Sequence, residues 1–294
     1  MKTGCVFSLD DAYLMPFKVF FTSLELTSSI PVESPIFILH TSTLSHSSVE
    51  DIRLFLQGYD RHPVFLDIST VAPSRLPIRE GSQLSPAVYY RLFLEDVLPN
   101  DITQIVYLDS DMLALRSIRD LFYLEVESLI ASVDHCKPHH GLRLWGNVGG
   151  PYFQAGVLII PVHKWRSLGL STVFSDIIER EETRLVLYDQ DVLNIALRNE
   201  WQRLPIWYNI EEALVAILPI HEILDNAFII HFSGSSKPWK AFKPSPFTDL
   251  WDDAYEKTFG IPFDRTVYMP PRSVRYKAAV RSRLSKFFGG LGLL

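Results

Sequence analysis

The stretch Ile105-Val106-Tyr107-Leu108-Asp109-Ser110-Asp111 carries the strongest architectural signal in this chain, because four apolar residues run directly into two carboxylates. Side chains two positions apart on extended backbone point the same way, so Asp109 and Asp111 can reach one cation. Open α/β folds place their ligands at the carboxyl edge of the sheet. Hard oxygen donors suit Mg²⁺ or Mn²⁺. The stretch therefore predicts a buried strand that ends in a metal site.

A second apolar segment, Ala227-Phe228-Ile229-Ile230, ends at His231 and opens into a loop that contains Gly234 and Lys237. An imidazole added to two carboxylates favours Mn²⁺ over Mg²⁺. A Gly/Ser loop with a lysine suits phosphate oxygens. The two segments together predict a metal-bound diphosphate, with Asp109, Asp111 and His231 as candidate metal ligands.

The composition is that of a globular protein with an acidic body. The chain has 294 residues, a hydrophobic content of 47% and a formal net charge of −6. Residues 272–294 hold six of the 28 Lys and Arg residues and none of the 34 Asp and Glu residues. Nonspecific nucleic-acid binding needs dense Lys and Arg, so we expect no nucleic-acid partner. The two cysteines give no disulfide framework.

Two observations on hydrophobic runs predict a cytoplasmic location. The apolar run near the start, residues 4–9, is too short for the core of a signal peptide. No run approaches the roughly 18 apolar residues of a membrane span.

Short apolar runs alternate with stretches of helical period, which predicts an α/β layered sheet. The predicted strands are 4–9, 35–40, 63–68, 104–108, 128–133, 155–160 and 227–231. The predicted helices are 16–28, 45–57, 83–98, 163–181 and 189–200. The Gly-, His- and Pro-rich residues 135–151 predict an irregular loop, a kind of segment that often carries function.

Five motifs, in order, resemble those of the family 8 glycosyltransferases, which are retaining hexosyltransferases that use nucleotide sugars. The resemblance covers most of residues 4–240 and rests on the following segments: Val6–Tyr13, Tyr89-Tyr90-Arg91-Leu92, Tyr107–Asp111, Leu187–Asn194 and His231–Trp239. It implies a GT-A fold with a mostly parallel mixed sheet between helices. It also implies Mn²⁺, or Mg²⁺, as cofactor, a UDP-hexose donor (galactose or glucose) and a glycan or glycolipid acceptor such as lipopolysaccharide.

The resemblance assigns roles to individual residues of this chain. It gives uracil recognition to Asp10 and ring stacking to Tyr13, and it assigns the rest of the nucleotide diphosphate to Ser8, Ser110, Gly234 and Lys237. It assigns the donor sugar to Arg91, Asp134, Gln154 and Asp189. It assigns the catalytic groups to Gln190, Asp189 and Asp191. Because an amide is a weak nucleophile, Gln190 favours same-face attack over a covalent intermediate.

Other interpretations of the same residues stay open at the sequence level. Asp10 and Asp191 can be helix caps, and Arg91 can pair with Glu95 one turn later. A metal-dependent phosphohydrolase could use Asp109 as nucleophile. The family usually has Asn where this chain has Gln154, which leaves open a catalytically weak nucleotide-sugar-binding protein.

We predict three segments: a GT-A domain over residues 1–245, a Pro-punctuated connection over 246–271 and a basic helix over 272–294. In the last segment an apolar stripe falls on one helical face, flanked by cations; the stripe comprises Tyr276, Val280, Leu284, Phe287, Phe288 and Leu291. This pattern is typical of a helix in a membrane interface. It predicts peripheral attachment to the anionic inner face of the membrane, with packing on the domain as the alternative.

Overall fold

The computed structural model describes residues 2–79, 85–146, 149–234, 237–240 and 245–265. Its contacts divide the chain into two units, Met1–Ser233 and Gly234–Leu294. The first unit holds both sheets described below, and the second holds the C-terminal helix. The predicted basic helix over 272–294 lies outside the described residues.

The first unit is built on a seven-stranded mixed sheet with the order β3-β2-β1-β4-β7-β6-β8. Its strands are β1 (Thr3–Ser8), β2 (Ile36–His40), β3 (Val64–Asp67), β4 (Gln104–Leu108), β6 (Ile130–Asp134), β7 (Phe153–Ile160) and β8 (Trp201–Leu204). Four of its six neighbouring pairs are parallel, and only β7 runs against its neighbours β4 and β6. The expected α/β architecture with a mostly parallel mixed sheet is confirmed.

A small second sheet has the order β5-β10-β9. Its strands are β5 (Met112–Ala114), β9 (Ile210–Glu211) and β10 (Ile229–His231). β10 pairs antiparallel with β5 and parallel with β9, and His231 lies opposite both Met112 and Glu211. This pairing brings the end of β10 to the two aspartates that precede β5.

Helices cover both faces of the large sheet, because its strands are apolar on both sides. In β4, Ile105 and Tyr107 join one core cluster, while Val106 and Leu108 join the other. The helices are α1 (Leu14–Leu26), α2 (His46–Gln57), α3 (Leu94–Val97), α4 (Pro138–Trp145), α5 (Val162–Leu168), α6 (Leu170–Glu181), α7 (Tyr188–Ala196), α8 (Ile220–Asn226) and, in the second unit, α9 (Thr248–Phe259). Short 3₁₀ helices include Asp11–Tyr13, Pro86–Phe93 and Ile206–Tyr208.

The seven predicted strands are confirmed, while β5, β8 and β9 were not predicted. Three predicted helices correspond to α1, α2 and α7, and the helix predicted over 83–98 is a 3₁₀ segment followed by α3. The helix predicted over 163–181 is broken at Gly169, which adopts φ 60°, a left-handed conformation that ends α5 before α6 begins.

The prediction of an irregular loop over 135–151 was wrong, because residues Pro138–Trp145 form α4. Pro138 occupies the first turn, where a missing N–H costs nothing. Gly146 follows with φ 63°, a backbone conformation that glycine tolerates best, and ends the helix.

Lys164, Trp165 and Arg166 attach the start of α5 to the segments that lead into the central strands. The Trp165 indole donates to the carbonyl of Leu129 at 2.7 Å, and the Lys164 ammonium donates to the carbonyl of Val126 at 3.0 Å. The Arg166 guanidinium donates to the carbonyls of Leu98 (2.7 Å) and Ile102 (3.1 Å). These cations satisfy backbone oxygens that would otherwise lack partners where β4 and β6 begin.

Strands β1 and β4 are parallel neighbours, so their carboxyl ends meet at one edge of the sheet. Asp10 follows β1 and Asp109 follows β4 at this edge. Both cysteines are free, and Cys5 is fully buried in β1. Among the helices of the described residues, none is both long and apolar enough to cross a membrane.

Candidate active site and metal centre

The predicted metal ligands Asp109, Asp111 and His231 meet at the carboxyl edge of β4. The His231 Nε2 atom lies 3.2 Å from Asp111 Oδ1 and 3.7 Å from Asp109 Oδ2. One ligand atom from each of the three residues lies within 4.8 Å of the other two. Two carboxylate oxygens and one imidazole nitrogen form a donor set that suits Mn²⁺ and also accommodates Mg²⁺.

Gly156 in β7 leaves the space that the His231 ring fills. A Cβ atom at this position would lie 2.5 Å from Cε1 and 2.7 Å from Nδ1 of His231, closer than atoms can approach. The carbonyl of Gly156 also accepts a hydrogen bond from the Asp109 amide at 2.9 Å. One glycine therefore fixes both the backbone of one candidate ligand and the ring of another.

The electrostatics of the cluster favour a cation. Burial lowers the pKa of His231, but the Asp111 and Asp109 carboxylates raise it more, so the net shift is above the ordinary value. A raised imidazole pKa next to two carboxylates reports a local excess of negative charge. A divalent cation held by the same three residues would neutralise that charge.

Arg91 lies at the centre of the site and is buried. Its Nη2 atom donates to Asp109 Oδ1 at 2.6 Å, and its Nε atom lies 3.0 Å from Asp189 Oδ2. Its Nη1 atom donates to the carbonyl of Ala155, and its guanidinium lies 4.2 Å above the Tyr107 ring. Burial lowers the pKa of Arg91, yet the two aspartates raise it further, so the guanidinium is a fixed positive charge.

The alternative pairing of Arg91 with Glu95 is not observed. The Glu95 carboxylate instead accepts a hydrogen bond from the Ser171 amide at 2.7 Å, in the first turn of α6. This carboxylate therefore caps a helix, which leaves Arg91 to the carboxylates of the site.

Asp189 is buried beside Arg91, and burial raises its pKa to about 7 although Arg91 lowers it. Its Oδ2 atom is in the ion pair but accepts no hydrogen bond, because the Arg91 Nε–H is directed at the carbonyl of Val88. The buried Oε1 atom of Gln154 accepts no hydrogen bond either. A buried acceptor without a donor suits the hydroxyl group of a sugar, and each of these two residues has one.

Gln190 and Asp191 begin α7, and their side chains have different surroundings. The Gln190 Oε1 atom accepts from the Ala155 amide at 2.9 Å, and its Nε2 atom donates to the Tyr152 hydroxyl at 3.3 Å. Asp191 is fully buried and accepts from the Tyr152 hydroxyl (2.6 Å), the Arg143 guanidinium and the amide of Val186 (2.7 Å). Asp191 is therefore saturated with donors, although it lies inside α7 and Leu187 occupies the N-cap position.

The predicted nucleotide residues of the first unit lie around the same edge. The Asp10 carboxylate accepts from the amides of Ala12 (3.0 Å) and Tyr13 (3.2 Å), so Asp10 does cap the following turn. The pKa of Tyr13 is raised by burial and then by the Asp111 and Asp109 carboxylates. The Ser110 hydroxyl donates to the carbonyl of Ser8 at 3.4 Å, which joins the ends of β4 and β1.

Asp134 ends β6 and serves the local turn. Its Oδ1 atom accepts from the Cys136 amide at 2.8 Å, and its Oδ2 atom accepts from Arg203 at 2.7 Å. Both oxygens have protein partners, so a sugar hydroxyl at Asp134 would have to share them.

The predicted phosphate residues Gly234 and Lys237 belong to the second unit. Lys237 is buried, its carbonyl accepts from the Lys240 amide at 2.9 Å, and its ammonium lies 5.8 Å from the Trp239 ring. Their diphosphate role stays a prediction from the sequence.

Four residues of the site were not predicted: Asn209, Arg143, Tyr152 and, for its packing role, Gly156. Asn209 is fully buried, and its Oδ1 atom lies 2.9 Å from Nδ1 of His231. Arg143 and Tyr152 bind the Asp191 carboxylate, as described above. Asn209 and Arg143 lie far along the chain from their partners, and no local pattern marks them. Gly156 stands two positions after Gln154, and of these two residues only Gln154 received a role from the sequence.

Comparison with known proteins identifies similar chains. A family model described as glycosyl transferase family 8 matches residues 4–243. General stress protein A of Bacillus subtilis (strain 168) is 29% identical over 185 residues, which cover 58% of this chain and 65% of that protein. A lipopolysaccharide 1,2-glucosyltransferase of Escherichia coli is 25% identical over 252 residues, which cover 81% of this chain and 71% of that protein. The match thus spans slightly less than two thirds of the stress protein.

Two solved structures share the fold. The galactosyltransferase LgtC, crystallised with donor and acceptor sugar analogues, superposes with a TM-score of 0.73 at 21% identity and covers 90% of this chain and 100% of that one. The glycosyltransferase GlyE of Streptococcus pneumoniae TIGR4 superposes with a TM-score of 0.65 at 23% identity and covers 91% of this chain and 63% of that one. Both are glycosyltransferases, and the GT-A fold expected from the sequence is confirmed.

Proposed function

Because the chain belongs to glycosyl transferase family 8, we propose that it is a metal-dependent, retaining hexosyltransferase that uses a UDP-sugar. The observation that carries this proposal is the meeting of Asp109, Asp111 and His231 beside the buried pair of Arg91 and Asp189. The candidate metal ligands and the residues predicted to bind the donor sugar thus lie together at one edge of the sheet. The family match also favours transfer over the phosphohydrolase alternative, in which Asp109 would be the nucleophile.

Asp109, Asp111 and His231 would hold Mn²⁺, or Mg²⁺, in this site. When bound, the cation neutralises negative charge on the departing UDP, which is worth on the order of several kcal/mol in the transition state. Arg91 adds a fixed positive charge that needs no reorganisation during the reaction, because Asp109 and Asp189 already hold it.

The remaining contacts to UDP follow from the resemblance. Tyr13 would stack on the uracil, and Asp10 would accept from its N3–H. The turn that Asp10 caps uses only its Oδ1 atom. The Oδ2 atom accepts a hydrogen bond from the Ser85 hydroxyl. Ser8 and Ser110 would line the nucleotide, and Gly234 and Lys237 would bind the diphosphate. Lys237 stands six positions after His231 in the sequence, which supports a shared phosphate loop.

Retention fits same-face attack better than a covalent intermediate. The Gln190 oxygen already accepts a backbone hydrogen bond, which makes a weak nucleophile weaker. Asp191 is fully buried and saturated with donors, and Asp189 is paired with Arg91. We therefore propose that Gln190 stabilises positive charge on the sugar while the acceptor attacks from the side that UDP leaves. A glycosyl adduct trapped on Asp189 or Asp191 would refute this route.

The relatives of this chain support a choice of donor hexose and of acceptor. The named relatives include a glucosyltransferase and a galactosyltransferase, so we propose glucose or galactose as the hexose. A lipopolysaccharide enzyme among the relatives supports a glycan or glycolipid acceptor. Such an acceptor lies at a membrane surface, which agrees with the basic segment 272–294 as a peripheral anchor on the cytoplasmic face.

Calorimetric titration with UDP tests this proposal without knowledge of sugar or acceptor. The native chain is titrated in Mn²⁺, in Mg²⁺ and in chelator, and Asp111→Asn is titrated in the same buffers. Asp176→Asn is the matched control, because it makes the same charge change at an exposed position of α6. We expect tight Mn²⁺-dependent binding that only Asp111→Asn abolishes. UDP binding in no buffer would refute the proposal.

Gln154→Asn tests whether the departure from the family affects turnover. The Gln154 Oε1 atom is buried and accepts no hydrogen bond from the protein. We propose that a hydroxyl group of the UDP-bound sugar donates a hydrogen bond to it. If this chain transfers hexose with its own Gln154, the Asn variant should lose donor turnover. A gain in turnover would instead favour the catalytically weak sugar-binding protein.

A further inference from the structure

Asn209 is a fully buried polar residue that the proposed reaction has not yet used. It follows the 3₁₀ helix Ile206–Tyr208 and directly precedes β9. Its amide N–H donates to the carbonyl of Ile206 at 3.1 Å. Its side-chain Oδ1 atom lies 2.9 Å from Nδ1 of His231.

The backbone holds Asn209 in place relative to His231. The Phe228 amide donates to the carbonyl of Trp207 at 2.8 Å. The Tyr208 and Phe228 rings stack with centroids 4.4 Å apart and planes 14° apart. β9 and β10 pair through Ile210 and Ile230. These contacts involve neither the Asn209 side chain nor the His231 ring, so the two side chains meet on a rigid frame.

The two ring nitrogens of His231 face different partners. Nε2 faces Asp111 and Asp109, at 3.2 Å and 3.7 Å, while Nδ1 faces the Asn209 amide oxygen. An imidazole binds a cation through the lone pair of one nitrogen, and a hydrogen bond from the other N–H selects that tautomer. Because the Asn209 oxygen accepts the hydrogen bond from Nδ1–H, the lone pair of the imidazole lies on Nε2, which faces Asp109 and Asp111.

The Asn209 side chain makes this one hydrogen bond. Its Nδ2 atom is buried and has no partner. A buried NH₂ group without an acceptor costs free energy, so the Asn209 amide does not serve the stability of the turn alone. The contact with His231 is thus the function that the polar side chain can serve.

We propose that Asn209 is a positioning residue of the metal centre: its Oδ1 atom accepts the Nδ1–H proton of His231 and presents the Nε2 lone pair to a divalent cation. Gly156 confines the same ring from β7, where a Cβ atom would overlap it. The imidazole is then fixed by a hydrogen bond and by close packing against a strand of the large sheet. This inference rests on the proposed metal dependence.

Titration with Mn²⁺ alone, and again in saturating UDP, tests the inference on three variants. Asn209→Leu and Asn209→Ala remove the acceptor, whereas Asn209→Asp keeps an oxygen in its place. Thr22→Val is the matched control, because it removes a hydrogen bond of a buried side chain: the Thr22 and Tyr59 hydroxyls lie 2.8 Å apart, far along the chain from the cluster. Melting temperatures in chelator measure the folding cost of each variant apart from metal binding.

We expect Asn209→Leu and Asn209→Ala to weaken Mn²⁺ binding about 10- to 100-fold. Asn209→Asp should bind at least as tightly as the native chain, and Thr22→Val should bind as the native chain does. Native affinity in the Leu or Ala variant, or an Asp variant as weak as either, would overturn the inference alone. If the native chain binds no Mn²⁺ in either titration, the proposed metal dependence is refuted, and this inference is refuted with it.

Discussion

At the level of single residues, the His231 ring is the most closely constrained group of the site. Asn209 meets its Nδ1 atom at 2.9 Å, and Gly156 leaves the ring its space. A ligand held in this way needs little reorganisation when a cation binds, so packing contributes to affinity as well as the donor atoms do. A small change in the packing around this ring should therefore have a large effect.

Gly156→Ala should weaken Mn²⁺ binding at least about tenfold. The added methyl group would lie 2.5 Å from the ring, so the ring would have to shift from its position beside the two carboxylates. Mn²⁺ titration of the variant measures the effect. Gly58→Ala is the control, since Gly58 has ordinary helical φ and ψ angles of −60° and −18°. Unchanged Mn²⁺ affinity in Gly156→Ala would mean that the His231 ring can bind the cation from another position, and it would contradict the packing role of Gly156.

Asp189 should make stability depend on pH. Burial raises its pKa to about 7 from an ordinary value of 3.8. Between these values the folded chain keeps a proton that the unfolded chain has released, so the side chain's contribution to stability is lost as the pH rises through about 7. Asp189→Asn keeps a neutral side chain of the same shape at every pH.

The Asn variant should therefore gain stability relative to the native chain as the pH rises from about 5 to about 8. Urea unfolding at both pH values, in chelator, measures the difference in the free energy of unfolding. Asp134→Asn provides a comparison, because the Asp134 carboxylate is partly exposed and paired with Arg203. A difference between Asp189→Asn and the native chain that is the same at both pH values would contradict the buried, proton-binding state.

At the level of elements, the turn into α7 sets where Asp189 and Gln190 lie. Tyr188 adopts φ 49°, an uncommon conformation for a residue with a side chain. The Asp191 carboxylate binds the amides of Val186 and Leu187 on the far side of this turn, at 2.7 and 2.8 Å. Arg143 from α4 binds the same carboxylate. Asp191 thus joins α4, the turn and α7 through one buried charge.

Asp191→Asn should destabilise the fold by about 3–5 kcal/mol, because it leaves the Arg143 guanidinium and two amides with a poorer acceptor. Urea unfolding at neutral pH measures this loss, with the exposed Asp176→Asn as control. If Asp191→Asn abolished transfer while the free energy of unfolding stayed at the native value, this result would support the catalytic role predicted from the sequence over a purely structural role.

The elements that could be predicted are those whose signal is local. β4 and β7 are apolar throughout, and Asp109 and Asp111 follow β4 directly, so the sequence alone located the strand and two candidate ligands. β9 has two residues, and it exists because it pairs with β10. α4 has a composition typical of loops, but Arg143 from this helix binds Asp191. Asn209 shows the same limit for the site, because its role follows from a contact with His231 that no spacing encodes.

At the level of the whole molecule, charge is distributed unevenly along the chain. The family match ends at residue 243, and the six cationic residues of 272–294 lie beyond it. Each Lys or Arg near an anionic bilayer contributes about 1 kcal/mol, and the attraction falls off within a Debye length of about 8–10 Å. We propose that the six cations of this segment, together with its apolar residues, give reversible attachment to a membrane surface.

Deleting residues 272–294 should release the chain from anionic vesicles and leave UDP binding unchanged. Co-sedimentation with vesicles that contain phosphatidylserine measures attachment, and calorimetry in Mn²⁺ measures UDP binding on the same preparations. Replacing the six cations with glutamine keeps the apolar stripe and separates charge from hydrophobic insertion; this variant should bind as weakly as the native chain binds neutral vesicles. Because the attraction is screened by salt, attachment of the native chain should also fall as ionic strength rises. Loss of UDP binding together with vesicle binding would instead show that the segment packs on the domain and stabilises it.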